Sequence, residues 1–280
     1  NRAEVYMDME QYDNAIKDYG EVATMSDSAH SAWYKMGRCH NFLGNLDEAL
    51  VFYNKAIDAY KKSHSYYYHR GVIKFQQEDY EGAIQDFNLC LVNKSNFAYA
   101  YNDRGSAKRM LEDYRGAAED YENAIRHNPR MSFAYANLGS VLRLQEKHED
   151  AVREYNKAIQ QDKDNITAYN NRGKTYFSLG EYQDAIEDFT KAIELDENYA
   201  FAYNNRAAAY IKLEKYDEAI KDAEKAIELD PEYGYAYLNL GIALEMIRNP
   251  EDACENWQIA RSKGVETAAS YLSASNCSNY

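Results

Sequence analysis

Alanine recurs every 34 residues along this chain. Steps of 34 from Ala15 reach, without a miss, Ala49, Ala83, Ala117, Ala151, Ala185, Ala219 and Ala253. An aromatic series has the same period: Trp33, Tyr67, Tyr101, Tyr135, Tyr169, Tyr203 and Tyr237. So does a glycine series: Gly37, Gly71, Gly105, Gly139, Gly173 and Gly241. A fixed period of this length predicts stacked repeat units, each of which contacts only its neighbours.

The segment 166–199 indicates how one repeat folds. Apolar and small residues recur at helical spacing on both sides of Gly180: Tyr169, Gly173 and Tyr176 before it, and Tyr182, Ala185, Ile186 and Phe189 after it. This pattern predicts two amphipathic helices joined by a tight turn. Gly173 and Ala185 are small where the helices face each other, so the two backbones can approach closely while aromatic rings fill the space on either side.

The composition agrees with a helical chain and argues against several functions. The 280 residues include 28 Tyr and nine Phe but only three Pro and 13 Gly, so helix breakers are rare. The formal net charge of −14 opposes general binding to nucleic acid, which depends on clustered Lys and Arg. No apolar stretch approaches the roughly 20 residues that cross a bilayer, so we expect no membrane insertion. The partners are therefore expected to be proteins.

The repeat pattern resembles the tetratricopeptide repeat family. Counting from the first residue of each repeat, it has an aromatic residue at position 4, Gly or Ala at position 8, Ala at position 20 and an aromatic residue at position 24. The resemblance implies an all-α fold, a right-handed superhelix or α-solenoid of stacked helix–turn–helix units. It divides the array 1–267 into a partial unit, 1–29, and the repeats 30–63, 64–97, 98–131, 132–165, 166–199, 200–233 and 234–267. It also implies a capping helix over 268–280.

Five repeats, the partial one included, carry Arg at position 7, on the face that packs against the partner helix. The same five carry Asp 16 residues later, which gives the pairs Arg2–Asp18, Arg70–Asp86, Arg104–Asp120, Arg172–Asp188 and Arg206–Asp222. A guanidinium in that place needs a carboxylate to offset its desolvation, so we predict an ion pair between the two helices of each unit. The alternative is a row of arginines that binds phosphate. Replacing Arg172 with Ala is expected to lower stability and to leave ligand affinity unchanged.

The opposite face of each first helix carries positions 2, 6, 9 and 13, because a helix turns by about 100° per residue. In a superhelix that face lines the inner groove. Position 6 of four consecutive repeats forms an asparagine ladder: Asn137, Asn171, Asn205 and Asn239. It resembles the ladder in the tetratricopeptide superhelix of O-linked N-acetylglucosamine transferases, where such amides hold the backbone of an extended peptide. The resemblance implies that role here, since one side-chain amide can bond to both N–H and C=O of a passing main chain.

Aromatic and basic residues flank the asparagine ladder. Position 2 supplies Tyr99, Phe133, Phe201 and Tyr235, and positions 9 and 12 supply Arg109, Arg143, Lys174 and Phe177. On an acidic molecule the three cations form a local positive stripe, which we expect to attract an acidic peptide or a C-terminal carboxylate. Two alternatives stay open. The position 2 aromatics can pack on the end of the preceding repeat, and the asparagines can simply solvate a helix face, although Asn is a poor helix former.

The sequence lacks the residues that several other kinds of binding and catalytic site require. No repeat has the Lys at position 5 and Asn at position 9 with which the carboxylate clamp of chaperone-binding tetratricopeptide proteins begins. There is no Gly-rich phosphate loop and no Ser-His-Asp or Cys-His combination in a supporting context. The six histidines occupy unrelated repeat positions, so we expect neither a metal site nor a cofactor.

The four cysteines divide into two pairs. Cys39 and Cys90 occupy small, inward positions and are expected in the core. The last repeat and the segment after it resemble the ends of bacterial envelope-associated tetratricopeptide proteins, in which a Cys in the final helix pair and a Cys in the cap occur together. That resemblance implies a disulfide between Cys254 and Cys277, but two reduced thiols would give the same sequence. The bond would favour the bacterial periplasm or envelope, and free thiols the cytoplasm.

From these features we expect a non-enzymatic module that binds an extended protein segment in its groove. The alternative is a structural scaffold that self-associates through its exposed ends or its acidic outer surface and leaves the groove empty.

Overall fold

The computed structural model describes residues 2–25, 29–275 and 277. Over these residues the chain is a succession of seventeen α-helices without a strand, which confirms the predicted all-α fold. The chain forms two compact units, Asn1–Val141 and Leu142–Tyr280. We call them the N-terminal unit and the C-terminal unit.

The N-terminal unit contains eight complete helices and the beginning of a ninth. They are α1 (Arg2–Asp8), α2 (Tyr12–Met25), α3 (Ala29–Phe42), α4 (Leu46–Ala59), α5 (His64–Gln76), α6 (Tyr80–Asn93), α7 (Ala98–Met110), α8 (Tyr114–His127) and α9 (Ser132–Leu144). The segments 30–63, 64–97 and 98–131 each hold one helix pair. Of the partial unit 1–29, residues 1 and 26–28 lie outside the described residues.

The C-terminal unit begins within α9 and continues through eight further helices. They are α10 (His148–Gln161), α11 (Ile166–Leu179), α12 (Tyr182–Leu195), α13 (Ala200–Lys212), α14 (Tyr216–Leu229), α15 (Gly234–Met246), α16 (Pro250–Ser262) and α17 (Ala268–Ala274). The helix α17 occupies the first part of the predicted cap 268–280. Residues 276 and 278–280 of that segment lie outside the described part of the chain.

Small residues let the two helices of a pair come close. All eight alanines of the 34-residue series are fully buried. A Cβ atom added at Gly173 would lie 2.7 Å from the ring of Phe189, and one added at Gly71 would lie 2.8 Å from the ring of Phe87. Because real Cβ contacts are longer, the aromatic ring at position 24 packs directly on the glycine backbone. The predicted close approach is confirmed.

The turn within each pair uses one residue in the left-handed conformation. At Gly180 φ is 82°, and at the same repeat position Glu112 and Glu214 have φ of 61° and 58°. Glycine adopts this region at little cost, whereas a residue with a Cβ atom is strained there by about 1 kcal/mol.

The five predicted Arg–Asp pairs are confirmed. In the repeat 64–97, Nε of Arg70 donates to Oδ2 of Asp86 at 2.8 Å and Nη2 donates to Oδ1 at 2.6 Å. The other four pairs have the same two-point geometry: Arg2–Asp18, Arg104–Asp120, Arg172–Asp188 and Arg206–Asp222. Such a bidentate pair fixes the orientation of both helices.

Four of these arginines also reach back to the preceding repeat, which the sequence analysis missed. Nη1 of Arg70 donates to Oδ1 of Asn54 at 2.7 Å, and Nη1 of Arg206 donates to Oγ1 of Thr190 at 2.9 Å. The other two such bonds are Arg104 to Asn88 and Arg172 to Asn156. A signal was present, because position 25 is Asn or Thr only before a repeat with Arg. Elsewhere it is Gly20, Glu122, Glu224 or Gln258.

Position 11 differs between the two units. In the N-terminal unit, Lys74 and Lys108 place a second cation 2.9 Å from Asp86 and 2.8 Å from Asp120. In the C-terminal unit, the rings of Tyr176 and Tyr210 lie 5.9 and 6.0 Å from the guanidinium carbons of Arg172 and Arg206. Asp86 and Asp120 are therefore shared between two cations, whereas Arg172 and Arg206 have an aromatic ring at position 11 in place of that lysine.

The cysteines also differ between the units. The sulfur atoms of Cys254 and Cys277 form a disulfide within a cluster that includes the buried Trp257. Cys39 and Cys90 are free and fully buried. Burial raises the pKa of Cys39 to about 11 and that of Cys90 to about 12, so both thiols stay protonated and unreactive near neutral pH.

Candidate functional site

Three of the four ladder asparagines, Asn137, Asn205 and Asn239, donate hydrogen bonds to the preceding repeat. Nδ2 of Asn205 donates to Oδ1 of Asn170 at 3.0 Å, so a position 6 amide bonds to the buried position 5 amide one repeat earlier. Two further bonds follow this rule: Asn137 to Asn102 at 3.0 Å and Asn239 to Asn204 at 2.8 Å. The ladder therefore helps to join repeats. Each of these donors keeps its second N–H and its carbonyl oxygen outside that bond.

Positions 5 and 6 of neighbouring repeats also pair through other residue types in the N-terminal unit, where position 5 can be the donor. The Tyr68 hydroxyl donates to Oδ2 of Asp103 at 2.7 Å, and the Tyr34 hydroxyl lies 3.3 Å from Nδ1 of His69. Burial raises the pKa of Asp103, and burial together with the nearby Asp103 charge raises the pKa of Tyr68. The sequence analysis considered position 6 alone. The matching polar residue at position 5 was the available signal.

Four of the predicted site residues line one cavity in the C-terminal unit. This C-terminal cavity has a volume of about 160 Å³ and contains the predicted Arg143, Lys174, Phe177 and Asn205. Ser178, Phe189 and Ala208 complete its lining. Helices α11, α12 and α13 contribute most of these side chains, together with the C-terminal end of α9.

The C-terminal cavity is positively charged. None of the seven described residues that line it is acidic. Lys174 stays accessible, yet its pKa is lowered, first by the burial of part of the side chain and then by the positive charge of Arg143. Within the described residues, Nε of Arg143 is buried without a hydrogen-bond partner. An anion in this cavity would therefore relieve the repulsion between two cations.

Arg109 lies in a different cavity, in the N-terminal unit. This N-terminal cavity has a volume of about 360 Å³ and is lined by Val72, Phe75, Gln76, Phe87, Asp103, Ser106 and Arg109. The predicted grouping of Arg109 with Arg143 and Lys174 stays a prediction. What the structure places beside Arg109 is Asp103, an acid.

The two cavities occupy equivalent repeat positions, three repeats apart. Phe75 and Phe87 correspond to Phe177 and Phe189, because each pair stands at positions 12 and 24 of its repeat. The charged residues differ. Lys174 replaces Val72 at position 9, and Asn205 replaces Asp103 at position 6 of the following repeat.

The remaining predicted residues lie outside these cavities. Asn137, Asn171 and Asn239 are not among the described lining residues of either one. The position 2 aromatics pack on the end of the preceding repeat, as in the alternative interpretation. Tyr99 lies 5.9 Å from Phe97, and Phe201 lies 5.8 Å from Tyr199, measured between ring centroids. Each position 2 residue is nevertheless between 43% and 54% exposed.

The described part of the chain lacks two other kinds of site. It contains no group of three or more His, Cys, Asp or Glu side chains arranged to hold a metal ion. None of its helices is long and apolar enough to cross a membrane. Two histidines contact polar neighbours within the fold: Nδ1 of His30 lies 2.8 Å from the Tyr66 hydroxyl, and Nδ1 of His69 lies 2.8 Å from the Ser65 carbonyl oxygen.

Family models match most of the sequence. Models described as tetratricopeptide repeat match residues 1–64, 64–91, 166–199, 200–233 and 223–255, and one described as TPR repeat matches residues 139–180. The search of curated proteins gives no significant match.

Several solved structures are similar to the chain. The MamA protein is 28% identical, with a TM-score of 0.53 over 61% of this chain and 94% of that chain. YrrB, described as a TPR protein with an unusual peptide-binding site, is 24% identical, with a TM-score of 0.54 over 66% of this chain and 95% of that chain. A tetratricopeptide repeat protein from Parabacteroides merdae is 19% identical, with a TM-score of 0.66 over 87% of this chain and 96% of that chain.

Proposed function

This chain belongs to the tetratricopeptide repeat family, whose fold implies interaction with other proteins, and we propose that it is a non-enzymatic module that binds an extended peptide segment. The C-terminal cavity is the proposed anchor point. It holds a carboxylate of the peptide, either an acidic side chain or the chain terminus.

The observation that carries the proposal is the pairing of Arg143 and Lys174 in one cavity without a lining acid. A carboxylate between them gains charge-assisted hydrogen bonds, which contribute about 1.5–3 kcal/mol each. Phe177 supplies an apolar wall for the side chain next to that carboxylate. The remaining N–H and the carbonyl oxygen of Asn205 are suited to the peptide main chain. That the YrrB structure is described as having a peptide-binding site supports a binding role for repeats of this kind.

The test is a peptide library screened against the whole chain in two forms, with free and with amidated C-termini. We expect enrichment of Asp, Glu or a free terminus, and the two forms show which carboxylate is bound. For the best peptide, Lys174→Val and Arg143→Gln should each weaken binding by about tenfold or more in calorimetry. Lys191→Gln is the matched control, because it removes a cation from the same repeat outside the cavity. Equal effects of Lys191→Gln and Lys174→Val would refute the proposal.

A second comparison separates the binding role of Asn205 from its structural role. Asn170→Ala removes the acceptor of the inter-repeat bond and leaves the Asn205 amide in the cavity. Asn205→Ala removes the inter-repeat bond and also the amide in the cavity. We expect Asn205→Ala to weaken peptide binding more than Asn170→Ala at equal thermal stability, and the Asn171→Ala/Asn205→Ala double variant to weaken it further. If the two single variants weaken binding equally, the ladder serves only to join repeats.

Self-association is the second candidate function, favoured by exposed apolar side chains on the first two helices. Val5 of α1 and Met9 directly after that helix are 53% and 58% exposed, and Met25 at the end of α2 is 86% exposed. Apolar groups concentrated at one end of a repeat array can dock on a second copy. Sedimentation velocity over a concentration series tests this. An oligomer that Met9→Glu dissociates would support it, and a monomer at all concentrations would exclude it.

A further inference from the structure

The N-terminal cavity is a second pocket with a different preference. It has the same two phenylalanines as the C-terminal cavity, but Val72 stands where the other has Lys174, and Asp103 where the other has Asn205. Among the described lining residues, the N-terminal cavity therefore has one cation fewer and one acid more than the C-terminal cavity. A peptide carboxylate would meet Asp103 there, so the ligand proposed for the C-terminal cavity does not fit this one.

Asp103 is held as a hydrogen-bond acceptor at one side of the cavity. The Tyr68 hydroxyl donates to its Oδ2 at 2.7 Å, and Nδ2 of Asn102 donates to its Oδ1 at 3.0 Å. These two bonds fix the orientation of the carboxylate. A carboxylate has about four lone-pair sites, so it can accept a further hydrogen bond from a ligand inside the cavity.

Apolar side chains and one cation complete the cavity. Phe75, Phe87 and Val72 provide an apolar surface, and Arg109 contributes a guanidinium. An aromatic ring gains from all of these groups, since it packs edge to face on phenylalanine and presents a negative π face to a cation. A lysine or arginine side chain of a ligand would instead be repelled by Arg109. The volume of about 360 Å³ is sufficient for an aromatic side chain.

We propose that the N-terminal cavity binds the side chain of a tyrosine or tryptophan, with its ring against Phe75 and Phe87 and its O–H or N–H donating to Asp103. The chain then selects two features of a ligand, an aromatic residue in one unit and a carboxylate in the other. The aromatic site does not depend on the C-terminal cavity, because no residue is common to the two linings.

The test uses small probes on the whole chain: the N-acetyl amides of tryptophan, tyrosine, phenylalanine and lysine, followed by ligand-observed NMR titration. We expect the tryptophan and tyrosine amides to bind at least about threefold more tightly than the phenylalanine amide, which lacks the donor. The lysine amide should bind most weakly. Tighter binding of the lysine amide, or failure of the tryptophan amide to saturate, would overturn the proposal.

Two variants that copy the other cavity locate the probe. Val72→Lys should weaken the tryptophan amide by about fivefold or more, and Asp103→Asn, whose amide oxygen is a weaker acceptor than a carboxylate, should reduce the preference for tyrosine over phenylalanine. Both new residues already stand at the equivalent positions of a folded repeat, as Lys174 and Asn205. Lys191→Gln, which removes a cation outside both described linings, is the control and should leave the tryptophan amide unaffected. If Val72→Lys has no effect on variants that melt like the parent, the site is not this cavity. Loss of carboxylate binding alone would refute the proposed function and leave this inference standing.

Discussion

The two units use one repeat design with different electrostatic partners. In the N-terminal unit, Asp120 binds both Arg104 and Lys108, while in the C-terminal unit Asp188 binds Arg172, and the ring of Tyr176 stands at position 11 in place of the lysine. The cavities differ in the same way, since one contains an acid and the other contains two cations. The comparison teaches that positions 6, 9 and 11 can change charge while the small residues at positions 8 and 20 keep the packing constant.

The largest expected effect comes from removing a shared carboxylate. Asp120→Ala leaves Arg104 and Lys108 without their common anion, so we expect a loss of about 3–5 kcal/mol in the free energy of unfolding. Asp188→Ala leaves one cation rather than two without its anion, and that arginine keeps a second ring contact with Tyr176, so it should cost less. Urea denaturation at neutral pH measures both. Equal losses in the free energy of unfolding would contradict the proposed difference between the two units.

A matched double variant controls for the loss of the pair itself. Arg206→Leu/Asp222→Asn copies the natural combination Leu240/Asn256 of the next repeat. It should be more stable than Asp222→Ala alone, because no buried cation is left unpaired. If the double variant is less stable than Asp222→Ala, the ion pair stabilises the fold by more than the cost of leaving Arg206 unpaired.

Reduction of the disulfide is the next largest expected effect, and it should destabilise the C-terminal unit only. The disulfide between Cys254 and Cys277 closes a segment of 23 residues, so its reduction is expected to cost about 3 kcal/mol in the C-terminal unit. Hydrogen exchange with and without a reductant should show faster exchange in α16 and α17 and no change in α5 to α8. The Cys254→Ser/Cys277→Ser variant should not respond to the reductant. Two free thiols found by alkylation of the unreduced protein would contradict the prediction.

The pH dependence of binding gives a smaller expected effect. Because the pKa of Lys174 is lowered, its charge is present at neutral pH and is lost at a lower pH than that of an ordinary lysine as the solution becomes alkaline. Carboxylate-peptide affinity should therefore fall by up to about tenfold as that charge is lost. Lys174→Arg should abolish the decline, because arginine stays charged. Calorimetry at several pH values provides the measurement, and an unchanged decline in that variant would assign it to another group.

The smallest expected effect concerns the turns. Gly180→Ala in the C-terminal unit introduces a Cβ atom at φ of 82° and should cost about 1 kcal/mol. Glu112→Gly at the equivalent turn of the N-terminal unit, where φ is 61°, should gain up to about 1 kcal/mol. Thermal unfolding of the two variants measures the difference. If both variants change the stability in the same direction, the turn residue is not strained by its conformation.

The sequence predicted the fold and the Arg–Asp pairs because both depend on fixed spacings. A 34-residue period with small residues at positions 8 and 20 leaves two helices one way to pack, and Arg70 with Asp86 are tied by one helix–turn–helix geometry. The reach of Arg70 to Asn54 has the same separation in the opposite direction and was missed, since only pairs within a repeat were compared. The cavities could not be predicted in shape, because three or four helices and their side-chain rotamers define each one.

The backward bond from arginine decides how such repeats can be exchanged. A block cut from position 1 to position 34 carries the arginine at position 7 but leaves its amide or hydroxyl acceptor behind at position 25 of the preceding repeat. A block cut between the two helices of a repeat keeps Asn54 with Arg70 but separates Arg70 from Asp86. The smallest segment that retains every bond of this arginine is therefore three consecutive helices. Grafting or shuffling of these repeats, in the laboratory or by recombination, should preserve stability best when it respects that segment.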